Sequence, residues 1–136
     1  MTRTPRAAAL AFVTLGCPKN TVDSEVMLGG LAAAGFRTVA DPRQADVAVV
    51  NTCGFLQSAA RESRATIARI AGCKRRGRLK GLIVAGCLAQ RAGETLLEDF
   101  PEVDVVLGTG QWREMKSFTA ACDSGAAAPR RPISTR

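Results

Sequence analysis

The chain has 136 residues, a net charge of +7, 46% apolar residues and 23% charged residues. That composition suits one globular domain, excludes a disordered chain, and offers no apolar run near the ~18 residues of a membrane span. Neither histidine nor tyrosine occurs, which excludes Ser–His, Cys–His and histidine–metal mechanisms.

Residues 1–9 read as a flexible leader. The apolar run that follows is not a signal peptide, because it enters Thr14-Leu15-Gly16-Cys17-Pro18-Lys19 without a small-residue cleavage site. Residues 10–16 predict a short buried strand ending at a glycine. Residues 21–34 predict a helix capped by Asn20 or Thr21, with Asp23 and Glu25 in its first turn. Met27, Leu31 and Ala34 repeat at helical spacing, and Gly35 stops the helix. Phe36 to Ala40 suits a short edge strand, and Asp41-Pro42 a turn.

Residues 46–51 predict a second buried strand. A helix over 55–72 follows, with Leu56, Ala60, Ser63, Ile67 and Ile70 or Ala71 on one face and Gly72 near its end. Residues 80–86 predict a strand running straight into Cys87. Leu88 to Phe100 predicts a helix with Leu96 and Leu97 inward, stopped by Pro101. Residues 103–107 predict a last strand, and Gln111 to Ala121 a last helix. Residues 123–136 are Ser, Gly, Ala, Pro and Arg-rich and read as linker or tail, which leaves 10–122 as the domain. Apolar strands alternating with helices predict an α/β fold: a small doubly wound parallel sheet of about five strands, in the flavodoxin-like order 2-1-3-4-5, with helices on both faces.

The positive charge is unevenly spread. Arg3 and Arg6 lie in the leader, Lys74, Arg75, Arg76, Arg78 and Lys80 form one cluster, and Arg130, Arg131 and Arg136 lie in the tail. These ten have no acidic residue within their segments. The other nine basic residues face all twelve acidic ones, so the body is mildly acidic. The cluster reads either as a solvated helix end or as a patch that tracks phosphates of a nucleic acid or ribonucleoprotein. One Trp, no Tyr and five Phe argue against a base-stacking platform.

Five cysteines stand at positions 17, 53, 73, 87 and 122, none in a CxxC pair. Cys17, Cys53 and Cys87 each follow a predicted strand. In a parallel sheet all strand C-termini share one edge, the edge where open α/β sheets bind ligands. Each of the three has a neighbouring glycine, Gly16, Gly54 or Gly86, and each precedes a helix start whose free N–H groups favour thiolate. Buried structural cysteine is the alternative for any one of them. A disulfide would use two and leave one over. Zinc normally wants four ligands, with Asp or Glu then completing the set. A [4Fe–4S] cluster on three thiolates keeps one iron open for substrate. Cys73 and Cys122 read as non-ligands.

At these residues the sequence resembles the N-terminal cluster-binding domain of the radical S-adenosylmethionine methylthiotransferases. The matching motifs are Leu15-Gly16-Cys17-Pro18-Lys19-Asn20 with Val22-Asp23-Ser24-Glu25, Val50-Asn51-Thr52-Cys53-Gly54-Phe55, Ala85-Gly86-Cys87-Leu88-Ala89-Gln90-Arg91, and Val103-Asp104 through Gly108-Thr109-Gly110. The resemblance covers roughly residues 10–115. The Gly-Cys-Pro-Lys-Asn and Asn-Thr-Cys-Gly-Phe forms are similar to the branch acting on an aspartate of a small-subunit ribosomal protein (RimO type), with the transfer-RNA branch (MiaB type) as the alternative.

The resemblance implies that Cys17, Cys53 and Cys87 bind an auxiliary [4Fe–4S] cluster whose open iron carries the sulfur or methylthio group to be transferred. Asn20 and Asn51 then either support the cluster by hydrogen bonds or cap local turns. No catalytic residue is assigned. Family members continue into a radical domain, whose CxxxCxxC motif holds a second [4Fe–4S] cluster for S-adenosylmethionine, and then into a β-barrel. No CxxxCxxC occurs here, so the chain is expected to be a fragment, inactive alone, monomeric and cytoplasmic, with the ribosome as the full-length enzyme's partner. A non-enzymatic α/β binding module using the same edge is the competing reading.

Overall fold

The computed structural model describes residues 9–15, 18–33, 35–53, 57–76 and 79–107, with backbone only at 18–24, 87 and 90. The predicted helix at 111–121, the tail, and the leader up to residue 8 lie outside the described residues.

Five strands form one sheet: β1 (Ala9–Thr14), β2 (Arg37–Val39), β3 (Val47–Thr52), β4 (Gly81–Gly86) and β5 (Val105–Leu107). Their spatial order is β2-β1-β3-β4-β5, and all four pairings are parallel. Three helices connect them: α1 (Pro18–Ala33), α2 (Gln57–Arg76) and α3 (Cys87–Asp99). This is the flavodoxin-like order expected from the sequence.

The strands alternate between two cores, because successive side chains on a strand point to opposite faces. Leu10, Val47, Val49, Ile83, Ala85, Val105 and Leu107 pack on Met27 and Leu31 of α1. Ala11, Ala48, Val50, Leu82, Val84 and Val106 pack on Ile67, Ile70 and Ala71 of α2 and on Leu88, Ala89 and Leu96 of α3. Each fully buried branched side chain among them contributes roughly 1.5–3 kcal/mol. Helices therefore cover both faces, and no helix among the described residues is long and apolar enough to cross a membrane.

Local boundaries differ from expectation at three points. The first helix begins at Pro18, so Asn20, Thr21, Asp23 and Glu25 lie inside it and its first turn holds no acidic residue. Proline suits that first position, since its missing N–H has no intrahelical partner to lose. Its other end follows expectation: Gly35, at φ +101°, donates its N–H to Ala32 O at 3.0 Å, and Phe36 donates to Leu31 O at 3.1 Å. This paired closure satisfies the last carbonyls. The second helix runs through Gly72, which is buried, and ends only after Lys74, Arg75 and Arg76. Those cations suit the negative end of the helix dipole. The third helix is kinked at Ala92 (φ −130°, ψ 28°), ahead of the weak helix former Gly93.

The N-terminal edge of the sheet is closed by carboxylates. Asp46 Oδ2 accepts from Ala9 N at 2.9 Å. Asp104 Oδ2 accepts from Leu82 N at 2.9 Å and from Lys74 Nζ at 2.6 Å. Arg75 pairs with Glu102. Two members of the basic cluster, Lys74 and Arg75, are thus neutralised through space by residues about thirty positions away.

The Arg75 hydrogen bond holds the Glu102 carboxyl below the usual carboxylate range. A carboxyl lowered on folding stabilises above its unfolded pKa, and that contribution drains away as pH falls through the folded value. We expect Glu102→Gln to cost roughly 0.2–1 kcal/mol near neutrality. The difference from wild type should shrink as pH falls through the lowered Glu102 value and be lost below it, as read from urea midpoints across pH.

Candidate functional site

The sheet order sets the ends of β1, β3 and β4 side by side, and these are the strands that precede Cys17, Cys53 and Cys87. Register aligns them closely. Thr14 pairs with Asn51, Leu15 N donates to Asn51 O at 3.0 Å, and Thr52 pairs with Gly86. Cys53 and Cys87 therefore each directly follow one member of a paired position on neighbouring strands, which lie ~4.8 Å apart. Cys17 lies outside the described residues, as do Gly16 and Gly54. Cys87 is described as the first residue of α3.

Cys53 is 4% exposed and is held from behind by a residue of α2. Its N–H donates to Ser63 Oγ at 3.1 Å, and the Ser63 hydroxyl donates back to the Cys53 carbonyl at 3.0 Å. One buried hydroxyl thereby satisfies both backbone groups of the cysteine, which a strand end would otherwise leave open. Helical periodicity places Ser63 on the buried face of α2 but does not specify this contact. The signal is nonetheless present: a serine inside an apolar stripe needs a polar partner.

Thr52 makes a second tie. Its hydroxyl donates to Ala85 O at 2.6 Å and accepts from Ala89 N at 3.3 Å. Ala89 belongs to the first turn of α3, whose N–H groups lack intrahelical partners. Gly86 precedes that helix and offers no side-chain cap, so Thr52 of the adjacent strand caps it across the sheet. The hydroxyl thus couples the end of β3 to the backbone that carries Cys87.

Gly86 adopts φ 100°, ψ −163°, a region open essentially only to glycine. A Cβ there would lie 2.5 Å from Asn51 Oδ1 and 2.9 Å from Thr52 N, with the Thr52 carbonyl also in its way. Asn51, 1% exposed, is packed against this glycine. Asn20 falls within α1, where only the backbone is described. Cys73, expected to be uninvolved, is part-exposed near the far end of α2, where the antiparallel course of the helix carries it away from this edge.

Among the described residues, no group of three or more His, Cys, Asp or Glu side chains gathers into a metal site. The donors that the topology does direct to this edge are thiols. Thiolate donors suit an iron–sulfur cluster. A tetrahedral zinc site would need a fourth ligand, and the candidate edge gains no described carboxylate.

The described parts define a class: a doubly wound α/β domain with three adjacent strands, β1, β3 and β4, that are each followed in the sequence by a cysteine motif. Residues 9–108 match the family described as Uncharacterized protein family UPF0004, and the chain belongs to that family. It is 60% identical over 102 residues to the Ribosomal protein uS12 methylthiotransferase RimO of Anaeromyxobacter sp. (strain Fw109-5), covering 75% of this chain and 22% of that protein. Proteins of the same name from Clostridioides difficile (strain 630) and Trichlorobacter lovleyi are 48% identical over 106 residues and 46% identical over 116. They cover 78% and 85% of this chain, and 24% and 26% of their own lengths. The chain thus spans about a quarter of the length of the curated relatives it matches.

Proposed function

We propose that this chain is the auxiliary-cluster portion of a methylthiotransferase that modifies an aspartate of a ribosomal protein, uS12 by analogy with its relatives, in the cytoplasm. The observation that carries the reading is the alignment of the β1, β3 and β4 ends, each continuing into a cysteine motif. Cys17, Cys53 and Cys87 would hold a [4Fe–4S] cluster. That cluster, when bound, would supply an open iron for the sulfur or methylthio group.

This chain's other residues act as supports. Ser63 fixes the Cys53 backbone. Thr52 ties the strand carrying Cys53 to the helix starting at Cys87. Gly86 permits the sharp entry into that helix. Cys53 is buried, and a surround closed to solvent would limit water access to a metal–thiolate bond there. S-adenosylmethionine and the second cluster would be held by the radical portion of the full-length enzyme.

The test is anaerobic reconstitution with iron and sulfide. We expect about four irons per chain and a broad thiolate-to-iron absorption band. Replacing Cys17, Cys53 or Cys87 by alanine should abolish both, and Cys73→Ala should leave both unchanged. Tight zinc binding without iron uptake overturns the reading.

A further inference from the structure

At the edge of the sheet opposite to the cysteine motifs, a recess of about 500 Å³ is lined by Asp41, Arg43, Arg69, Cys73 and Arg76 together with Ala40 and Pro42. Two elements build it. The last turns of α2 contribute Arg69, Cys73 and Arg76. The turn Pro42–Gln44, which leads into β3, contributes Arg43, with Asp41 as its cap.

The charge of this recess is unbalanced. Asp41, the only carboxylate among the described lining residues, is committed to Arg43, with Oδ2 3.0 Å from Nη2, and also feels the charge of Arg69. Arg69 and Arg76 form no ion pair among the described residues. This contrasts with their neighbours Lys74 and Arg75, which face Asp104 and Glu102. Those two engaged cations already serve the helix dipole, so Arg69 and Arg76 are in excess of what the helix end requires. The fold thus sets one member of the 74–80 cluster, Arg76, beside Arg69 of the same helix and Arg43 of a distant turn.

We propose that this recess binds the backbone phosphates of a nucleic-acid strand. Guanidinium forks match phosphate oxygens two at a time. Arg69 and Arg76 stand seven residues apart, which returns them to one helix face about 10 Å apart along the axis. That spread suits a row of phosphates more than one enclosed ion. Arg43 is 76% exposed, so the recess is open enough for a strand to lie across it. No aromatic ring lines it, so contact is to the backbone and carries little base preference. The site lies on the far side from the proposed cluster edge and is independent of it.

The test uses fluorescence anisotropy of a labelled, mixed-sequence single-stranded RNA with the 136-residue chain at several salt concentrations. Arg61, exposed on the same helix but outside the recess, is the matched control. We expect Arg69→Gln and Arg76→Gln each to weaken binding about tenfold and to reduce the slope of log affinity against log salt by about one. Arg61→Gln should change affinity less than about twofold, as a distant charge screened by salt. Alkylation of Cys73, followed by peptide mass, should slow when the RNA is present in wild type and not in Arg69→Gln. Equal losses in Arg61→Gln and Arg69→Gln overturn the proposal, since they report net charge alone. Protection of Cys73 by inorganic phosphate at the same phosphate concentration, without RNA binding, also overturns it in favour of a small-anion site.

Discussion

Gly86→Ala is expected to lower the free energy of unfolding by about 3 kcal/mol or more. Two costs add. The backbone at φ 100°, ψ −163° lies where an L side chain costs of order 1–3 kcal/mol. The new methyl then meets the Thr52 carbonyl, Thr52 N and Asn51 Oδ1, and overpacking of that kind costs typically 1–3 kcal/mol. The contacts are mostly backbone of the neighbouring strand, so the structure cannot yield by rotating a side chain. Relief requires β3 and β4 to move apart at the place where their ends carry Cys53 and Cys87. Gly29→Ala is the counterpart: nothing lies within 4 Å of its added carbon. In the middle of α1 it should stabilise by about 0.5–1 kcal/mol. Urea denaturation of the two variants beside wild type separates a glycine required by conformation from one that is merely tolerated. A Gly86→Ala midpoint within error of wild type would refute the assigned strain.

The sheet is legible in the sequence because strand burial writes itself into residue type. Val47 to Val50 and Leu82 to Ala85 are apolar on both faces, which only a sheet covered on both sides requires. Glycine punctuation supplies the ends, and Gly35 with its positive φ stops α1 as expected. Sequence and structure part where one residue type serves two purposes. Gly72 looks like a helix stop, yet it is a buried position inside α2, beside the Arg75 side chain. Asn20 and Thr21 look like caps, but Pro18 already fixes the start.

The site is legible to a different depth. Strand order alone predicts which cysteine-bearing ends become neighbours, and the sheet has that order. What holds them in register is hidden from the sequence. The tie from Thr52 to Ala85 and Ala89 spans more than thirty positions, and the approach of Lys74 to Asp104 spans thirty. Such contacts depend on tertiary proximity, which periodicity does not encode. For the same reason the sequence does not show that Lys74 and Arg75 meet distant carboxylates, or that Arg43 comes to line one recess with Arg69 and Arg76.

Ser63→Ala should destabilise by about 2–4 kcal/mol while leaving the chain folded. The hydroxyl is fully buried and makes two hydrogen bonds, as acceptor at 3.1 Å and donor at 3.0 Å, both to Cys53. Removing it strands a buried N–H and a buried carbonyl, each at about 1–3 kcal/mol, with water unable to replace the oxygen in a site this closed. Ser58, exposed on the same helix, sets the baseline, and its alanine variant should stay within about 0.5 kcal/mol of wild type. A general loss of stability would not by itself locate the effect, so the second readout is the Cys53 thiol. Loosened backbone at the end of β3 should expose it, and its alkylation should quicken in Ser63→Ala far more than that of Cys73. Equal acceleration at both cysteines would mean global opening. Selective acceleration at Cys53 would show that the serine sets the position of one candidate ligand from the opposite side of the sheet edge. The geometry of the cysteine motifs then depends on a residue that no motif contains.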